Sequence, residues 1–459
     1  MEKRLVLPPP LPPLVYRSSR VRIQVKALRK SCAPLYSSQY LFKSKHNPFA
    51  MSQYPDELAR VAFSYPAIDN HAHPLLKEQH KDYFPFEGLV SEASGSALIQ
   101  DAPHTMAAFR ATIQLGALFG IPNPTWEAVK TGRQRANYNA LCDISMKRSN
   151  IQCILIDDGL GGVKEFAEDY QWHDRFTRSP TKRIVRVEIV AEDILKDVMN
   201  DMLVENSLDP AIILRNWGER LDQELRRCGS DPTVAGFKSI ACYRTGLDIL
   251  QVSVESHGVE LKRLLTITLL RYEATKTFRL AEKLINDFVV NLTLRIAQDC
   301  GKPVQFHTGL GDNDISLSHA TPALMQPIIK AFPNTKFILL HSSYPFTREA
   351  GYLAAVYPNV YLDFGEIFPF LSADGQVSVV KQVIELCPTN KILWSTDGHW
   401  WPESYYLGSH QARQALYEVL STCVKRREMT EAQAIEVIKA ALFENSNRVY
   451  GLNLKPIFS

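Results

Sequence analysis

Nowhere in these 459 residues is there an uncharged apolar run near the ~18 residues that a membrane-spanning helix needs. No membrane partner is therefore expected. Cysteine is scarce and unordered: eight residues, with no CxxC pair and no regular spacing. That argues against a disulfide framework and a zinc knuckle, and makes a reducing, cytoplasmic setting the simpler expectation. No repeat at a solenoid period is present, which removes the stacked-repeat architectures. Acid is nearly missing from one place only. Residues 1–50 carry ten Lys or Arg against a single acid, Glu2, an excess of nine; since the whole chain stands at +3, the remainder stands at −6. A mildly acidic body gives no reason to expect nucleic acid as a partner.

The basic, Ser-containing leader has the composition of a mitochondrial transit peptide, although its early "PPPLPP" suits an amphipathic helix poorly. The alternative is that Met51, opening "MSQYPDELARVAF", is the real start. Both readings set residues 1–50 apart as a targeting or disordered leader. Residues 51–459 are then expected to form one domain with embellishments.

From residue 60 onward, short β-branched runs alternate with longer stretches of helical spacing. The runs are "PAIDNHAH", "IQCILIDDG", "RIVRVEIV", "VAGFKSI", "PVQFHTG", "TKFILLHSS", "NVYLDFGE" and "KILWSTDG". Most are continuously apolar rather than alternating, as parallel strands covered by helices should be. Eight strands, each followed by a helix, is the number that closes a (β/α)₈ TIM barrel. The connections over 83–150 and 245–300 read as additional helices.

Active sites of such barrels lie at the carboxyl ends of the strands, and the polar residues of these runs collect there. The first run ends in His71 and His73, which a strand would point the same way. The fourth carries Lys238, the fifth ends at His307, the sixth at His341 and the eighth at Asp397. An isolated His-x-His is as well explained by a surface loop; its repetition over five strand ends favours a metal site. His71, His73, His307 and Asp397 supply the nitrogen and oxygen donors of a catalytic zinc or similar divalent ion. Asp397 would ligate directly or take a proton from water. His341 would bind a second ion or donate to a developing oxyanion. Lys238 is either a bridging carbamate between two ions or a salt-bridged amine, paired with Glu188 or Asp397. Arg244 would grip a substrate carboxylate or serve structurally, and Asp312, with Asp314, would touch substrate or form a turn. Glu188 would orient a ligand. His399, Trp400 and Trp401 would line the pocket or pack the loop.

The motifs "LVSEASG", "LIDDG", "GFKSIACYRTGLDI", "VQFHTGLGDNDISL", "LLHSSYPFTREAGYLA" and "WSTDGHWWPESYYLG" resemble the amidohydrolase superfamily. Within it they resemble the amidohydrolase-related group, and especially the amino-terminal barrel of fungal FluG-type proteins, over roughly residues 55–455. In those proteins a glutamine-synthetase-like half follows; here the expectation is a barrel without it, so glutamine chemistry is not carried over. The resemblance implies a divalent metal, one ion or two, with His71, His73, His307, His341, Asp397 and Lys238 at the family's ligand positions. It implies a hydrolase acting on a C–N bond of a small-molecule substrate. A decarboxylase on the same barrel and a non-catalytic regulatory barrel are the alternatives. Whether the chain forms a homo-oligomer is left open.

Overall fold

The computed structural model describes residues 56–160, 163–205 and 209–458. The basic leader expected over 1–50 lies outside them. Eight parallel strands form one sheet in strictly sequential order: β1 Ala67–Ala72, β2 Ile151–Asp157, β3 Lys182–Arg186, β4 Val234–Ser239, β5 Val304–Phe306, β6 Phe337–Leu339, β7 Val360–Asp363 and β8 Ile392–Leu393. All eight coincide with the apolar runs. Apart from the first two residues of β3, every strand residue is buried, because helices cover the outer face and side chains fill the inner one. Past the end of β8 the chain keeps pairing with β1. The Asn70 N–H donates to the Trp394 carbonyl at 3.2 Å, the Asp397 N–H to that of His71 at 3.0 Å, and the His73 N–H to that of Gly398 at 2.7 Å. Those bonds bring the two ends of the sheet together as a TIM barrel.

The third run corrects an expectation. "RIVRVEIV" was expected to be strand throughout, but β3 stops at Arg186 and a helix, Val187–Val204, begins at once. Val187, Ala191, Leu195, Val198 and Met202 recur at helical spacing and are buried, so burying that stripe outweighs the β-branched residues at its start. Glu188 therefore sits in the first helical turn. The two long connections are helical as expected, with Met106–Phe119, Trp126–Arg135 and Tyr138–Ser149 in one and Val254–Thr275 and Lys283–Cys300 in the other. Local chemistry sets their limits: the Thr105 hydroxyl caps the first by accepting from the Ala108 N–H, and Gly120, at φ 68°, ends it. Among the described residues no helix is long and apolar enough to cross a membrane.

Inside the barrel lies a layer of buried polar side chains. Asn70 donates to Asp363 Oδ1 at 2.8 Å and to the Trp394 carbonyl at 2.7 Å, and its Oδ1 accepts from the Tyr450 hydroxyl at 2.9 Å. Gln305 donates to the Asn70 carbonyl at 2.6 Å and to the Tyr450 oxygen at 2.7 Å. Asp69 accepts from the Thr396 N–H and hydroxyl. Such groups are tolerated because each finds a partner. They form the floor on which the site is built.

Candidate metal centre

β1 delivers His71 and His73 to the carboxyl end of the barrel. The Gln305 amide is already spent as donor on Asn70 and Tyr450, so its Oε1 accepts from His71 Nδ1 at 2.8 Å. That hydrogen bond leaves the lone pair of His71 on Nε2. His73 Nδ1 faces the Asp157 carbonyl at 2.9 Å, which likewise leaves Nε2 unprotonated. Both Nε2 atoms converge on Asp397 Oδ1, at 3.2 and 3.4 Å. Asp397 lies in a left-handed turn, φ 51°, beyond β8. Burial opposes its ionisation, whereas His341, His71 and His73, whenever they carry a proton towards it, favour the carboxylate and draw it well below its ordinary value. Burial pulls the His71 imidazole down to about 4, with the Lys238 charge adding to the effect.

A cation fits these residues. Ligands about 2.0–2.2 Å from a tetrahedral ion lie roughly 3.3–3.6 Å apart, close to the separations seen. Asp397 Oδ1 is buried with no hydrogen bond, as are both ring nitrogens of His341 and Glu366 Oε2. Orphaned buried atoms are costly, and their collection at one spot calls for a counter-charge. Asp157 also lies within reach of His71 and His73, but its carboxylate is taken by Arg186 Nε and Nη2 and by the Gly159 N–H. It is a buried ion pair that orients the wall.

His307 and His341 stand ring to ring, centroids 4.2 Å apart. His307 Nε2 donates to the Leu310 carbonyl at 2.6 Å, leaving Nδ1 as the basic nitrogen. A donor of His307 lies within 4.8 Å of donors of His341 and Glu366, and His341 in turn groups with His71 and Asp397. Burial lowers the pKa of the His307 and His341 imidazoles well below the ordinary value. Neither expected salt bridge of Lys238 forms: among the described residues no carboxylate lies within 4 Å of its Nζ, which rests 3.2 Å from His71 Nε2. Burial lowers this amine to about 8. Glu188 instead accepts from the Ser239 hydroxyl and the Ile240 N–H, at 2.7 and 3.0 Å. It fixes the turn after β4 rather than holding a ligand.

The centre opens into a cavity of about 340 Å³ whose walls include Tyr243, Arg244, Asp312, Asp314, His399 and Trp400. Arg244 pairs with Glu192 at 3.0 Å while its Nε stays unpartnered. Asp312 accepts from the Asp314 N–H at 2.8 Å, the expected turn, and Asp314 binds Arg279. Trp401 corrects the pocket-lining alternative: it is fully buried beneath the loop, against Gly88. Four residues escaped the sequence reading: Gln305, Asp157, Glu366 and Glu92. The first has a visible signal, lying two before His307 on a strand; Asp157 and Glu366 end apolar runs as the chosen residues do. Glu92, in the "LVSEASG" loop, has no such signal; burial and the charges of Asp397 and Asp312 push its carboxyl up to about 8.

A barrel with this donor set can be compared with known proteins. The amidohydrolase family pattern matches residues 207–452. The chain belongs to the amidohydrolase family. Within that family it is 41% identical over 414 residues to Protein fluG of Emericella nidulans, an alignment covering 87% of this chain and 47% of that protein. The chain thus spans about half the length of this curated relative. Among solved amidohydrolase-like structures, a protein from Lactobacillus casei described as a metal-dependent hydrolase superposes with a TM-score of 0.69. The two are 24% identical, over 86% of this chain and 98% of that one. The uronate isomerase of Thermotoga maritima gives 0.55 at 12% identity, over 86% and 97%. At such identities both speak for the fold alone.

Proposed function

We propose that this amidohydrolase-family barrel is a metal-dependent hydrolase that cleaves a C–N bond, amide or related, in a small molecule. The observation that carries it is the convergence of two unprotonated ring nitrogens on the orphaned Asp397 oxygen at the floor of a cavity of small-molecule size. His71, His73 and Asp397 would hold a divalent ion, zinc or another with a taste for nitrogen and oxygen donors. Such an ion, when bound, acidifies water and polarises a carbonyl.

The chain's own groups account for the proton. Asp397, held ionised, accepts a proton from the attacking water as its oxygen bonds to the carbonyl carbon. The carboxyl then returns that proton to the nitrogen as the C–N bond breaks, giving an acid and an amine. Gln305, by holding His71 Nδ1, keeps the imidazole in the tautomer that faces the ion. Arg244, with an unspent Nε–H, and Asp312 would position the substrate at the mouth. Tyr243 and Trp400 wall off bulk water.

The test is incubation of the protein, loaded with Zn²⁺ or Mn²⁺, with a panel of small amides and carboxylic acids. An acid–amine pair that disappears in a folded Asp397→Asn variant is expected. Release of carbon dioxide instead would replace hydrolysis by decarboxylation. No turnover of any panel member, together with an unchanged cellular role for Asp397→Asn, would favour a regulatory barrel.

A further inference from the structure

The cavity wall holds two unspent groups of opposite charge. We infer that Glu92 and Arg244 together select an amide that keeps both a free ammonium group and a free carboxylate, as a dipeptide or the side-chain amide of an amino acid does. The inference rests on the hydrolase reading above and deepens it by naming the substrate class and adding Glu92 to the site.

Arg244 offers the place for the anion. It ends the short helical turn Ala241–Arg244 after β4, and its side chain is 8% exposed. Among the described residues only its Nη2 has a partner, Glu192 at 3.0 Å, and the buried Nε has none. The other two arginines of the wall are committed, Arg186 to Asp157 and Arg279 to Asp314. An unpartnered buried N–H is costly, and a carboxylate is the group a guanidinium pairs with best.

Glu92 offers the place for the cation. It lies in the "LVSEASG" loop between β1 and the helix Met106–Phe119 and borders the same cavity. Its carboxyl makes no hydrogen bond or ion pair with any described residue. The charges that bear on it are those of Asp397 and Asp312, both acids, whereas Arg244 feels Glu192, Arg279, Glu188 and Arg186. The two groups therefore stand apart and do not neutralise each other. Nor does Glu92 belong to any donor group close enough to share one ion. A carboxyl so placed lacks a counter-charge, and burial among acids raises it to about 8. An ammonium group bound there supplies the charge together with three N–H donors, which Glu92 and the neighbouring Asp312 accept. The volume of about 340 Å³ is at the small end of the roughly 300–1,000 Å³ of ligand pockets, which suits a molecule of this size.

The Zn²⁺-loaded protein is offered dipeptides and side-chain amides of amino acids in three forms: free, N-acetylated, and with the carboxylate amidated. Hydrolysis and the rise in melting temperature are read for each. The free forms are expected to be cleaved fastest and to stabilise most, with either block costing about tenfold or more in kcat/KM, the worth of one charge-assisted hydrogen bond. Glu92→Gln is expected to lose the preference over the N-acetylated form and keep that over the amidated one. Arg244→Gln should do the reverse, and Glu92→Gln decides alone if that variant fails to fold. Blocked amides cleaved as well as free ones, an unchanged preference in Glu92→Gln, or a loss of bound zinc in that variant would each overturn the assignment and leave hydrolysis standing. Selective stabilisation by the free forms with no cleavage of any would uphold the assignment and overturn the hydrolase reading. Neither cleavage nor selective stabilisation would overturn both.

Discussion

Gln305 offers a way to separate the chemistry of the centre from the stability of the fold. It touches no proposed substrate, yet it decides which nitrogen of His71 is basic. Gln305→Leu leaves two buried groups without partners, His71 Nδ1–H and the Asn70 carbonyl; the Tyr450 hydroxyl keeps its bond to Asn70 Oδ1. At ~1–3 kcal/mol for each orphan, the loss of stability is about 2–6 kcal/mol. Loss of an outer partner of a ligating imidazole also weakens metal binding by roughly 10–100-fold. Gln305→Glu divides these effects. It retains an acceptor for His71 Nδ1–H but gives up both donors and buries a charge, so it too is destabilised. Its carboxylate makes the imidazole a better donor, and metal affinity is expected to equal or exceed that of the natural chain. Calorimetric titration of the three metal-free proteins with Zn²⁺, alongside urea unfolding of each, measures both quantities. Equal weakening in the Leu and Glu variants, or none in either, would refute the role assigned to Gln305.

Three further outcomes are expected. Asp397→Asn removes the negative charge of the carboxylate on which His71 Nε2 and His73 Nε2 converge, so cation affinity should fall by more than the ~10–100-fold of an outer residue; equilibrium dialysis reads it, and unchanged binding would relocate the site. His173 is fully buried, accepts from the Leu75 N–H at 3.0 Å, and is drawn down to about 4 by burial. Above pH 6.5 its neutral form costs the fold nothing. As pH falls from 6.5 towards 4 the unfolded chain takes up a proton that the folded one does not, so stability drops by ~1.4 kcal/mol per pH unit, roughly 3 kcal/mol in all. Between pH 7 and pH 4 the urea midpoints of His173→Gln should fall less steeply than those of the natural chain by about this amount, the other buried imidazoles, His71, His307 and His341, titrating alike in both; an identical slope in both would be contrary. A methyl group at Gly311 would meet the Tyr243 hydroxyl, and would come within 3.0 Å of His307 Nε2 and 2.6 Å of Ile315 Cδ1. Gly311→Ala should therefore impair turnover while shifting the melting temperature by only a few degrees, and full activity would show that the wall yields freely.

The barrel was legible because its strands are fully buried on both faces, and burial leaves continuous apolar runs in the sequence. The ends of those runs were equally informative, since a parallel barrel gathers all its strand ends on one rim. His71, His73, His307, His341 and Asp397 were found that way. Glu188 was misplaced because "VEIV" satisfies strand and helix alike; the stripe continuing to Met202, buried against the barrel, settled it.

What the sequence determined by itself was the inventory: eight strands, the rim they share, and the residue types able to bind an ion there. Which of those donors face one another was decided by tertiary structure alone. Ring orientation and carboxylate reach depend on partners hundreds of residues away, such as Tyr450 acting through Gln305 on His71, or Asp363 on the turn bearing Glu366. Hydrogen bonds have direction and angstrom-scale range, and periodicity along a chain encodes neither.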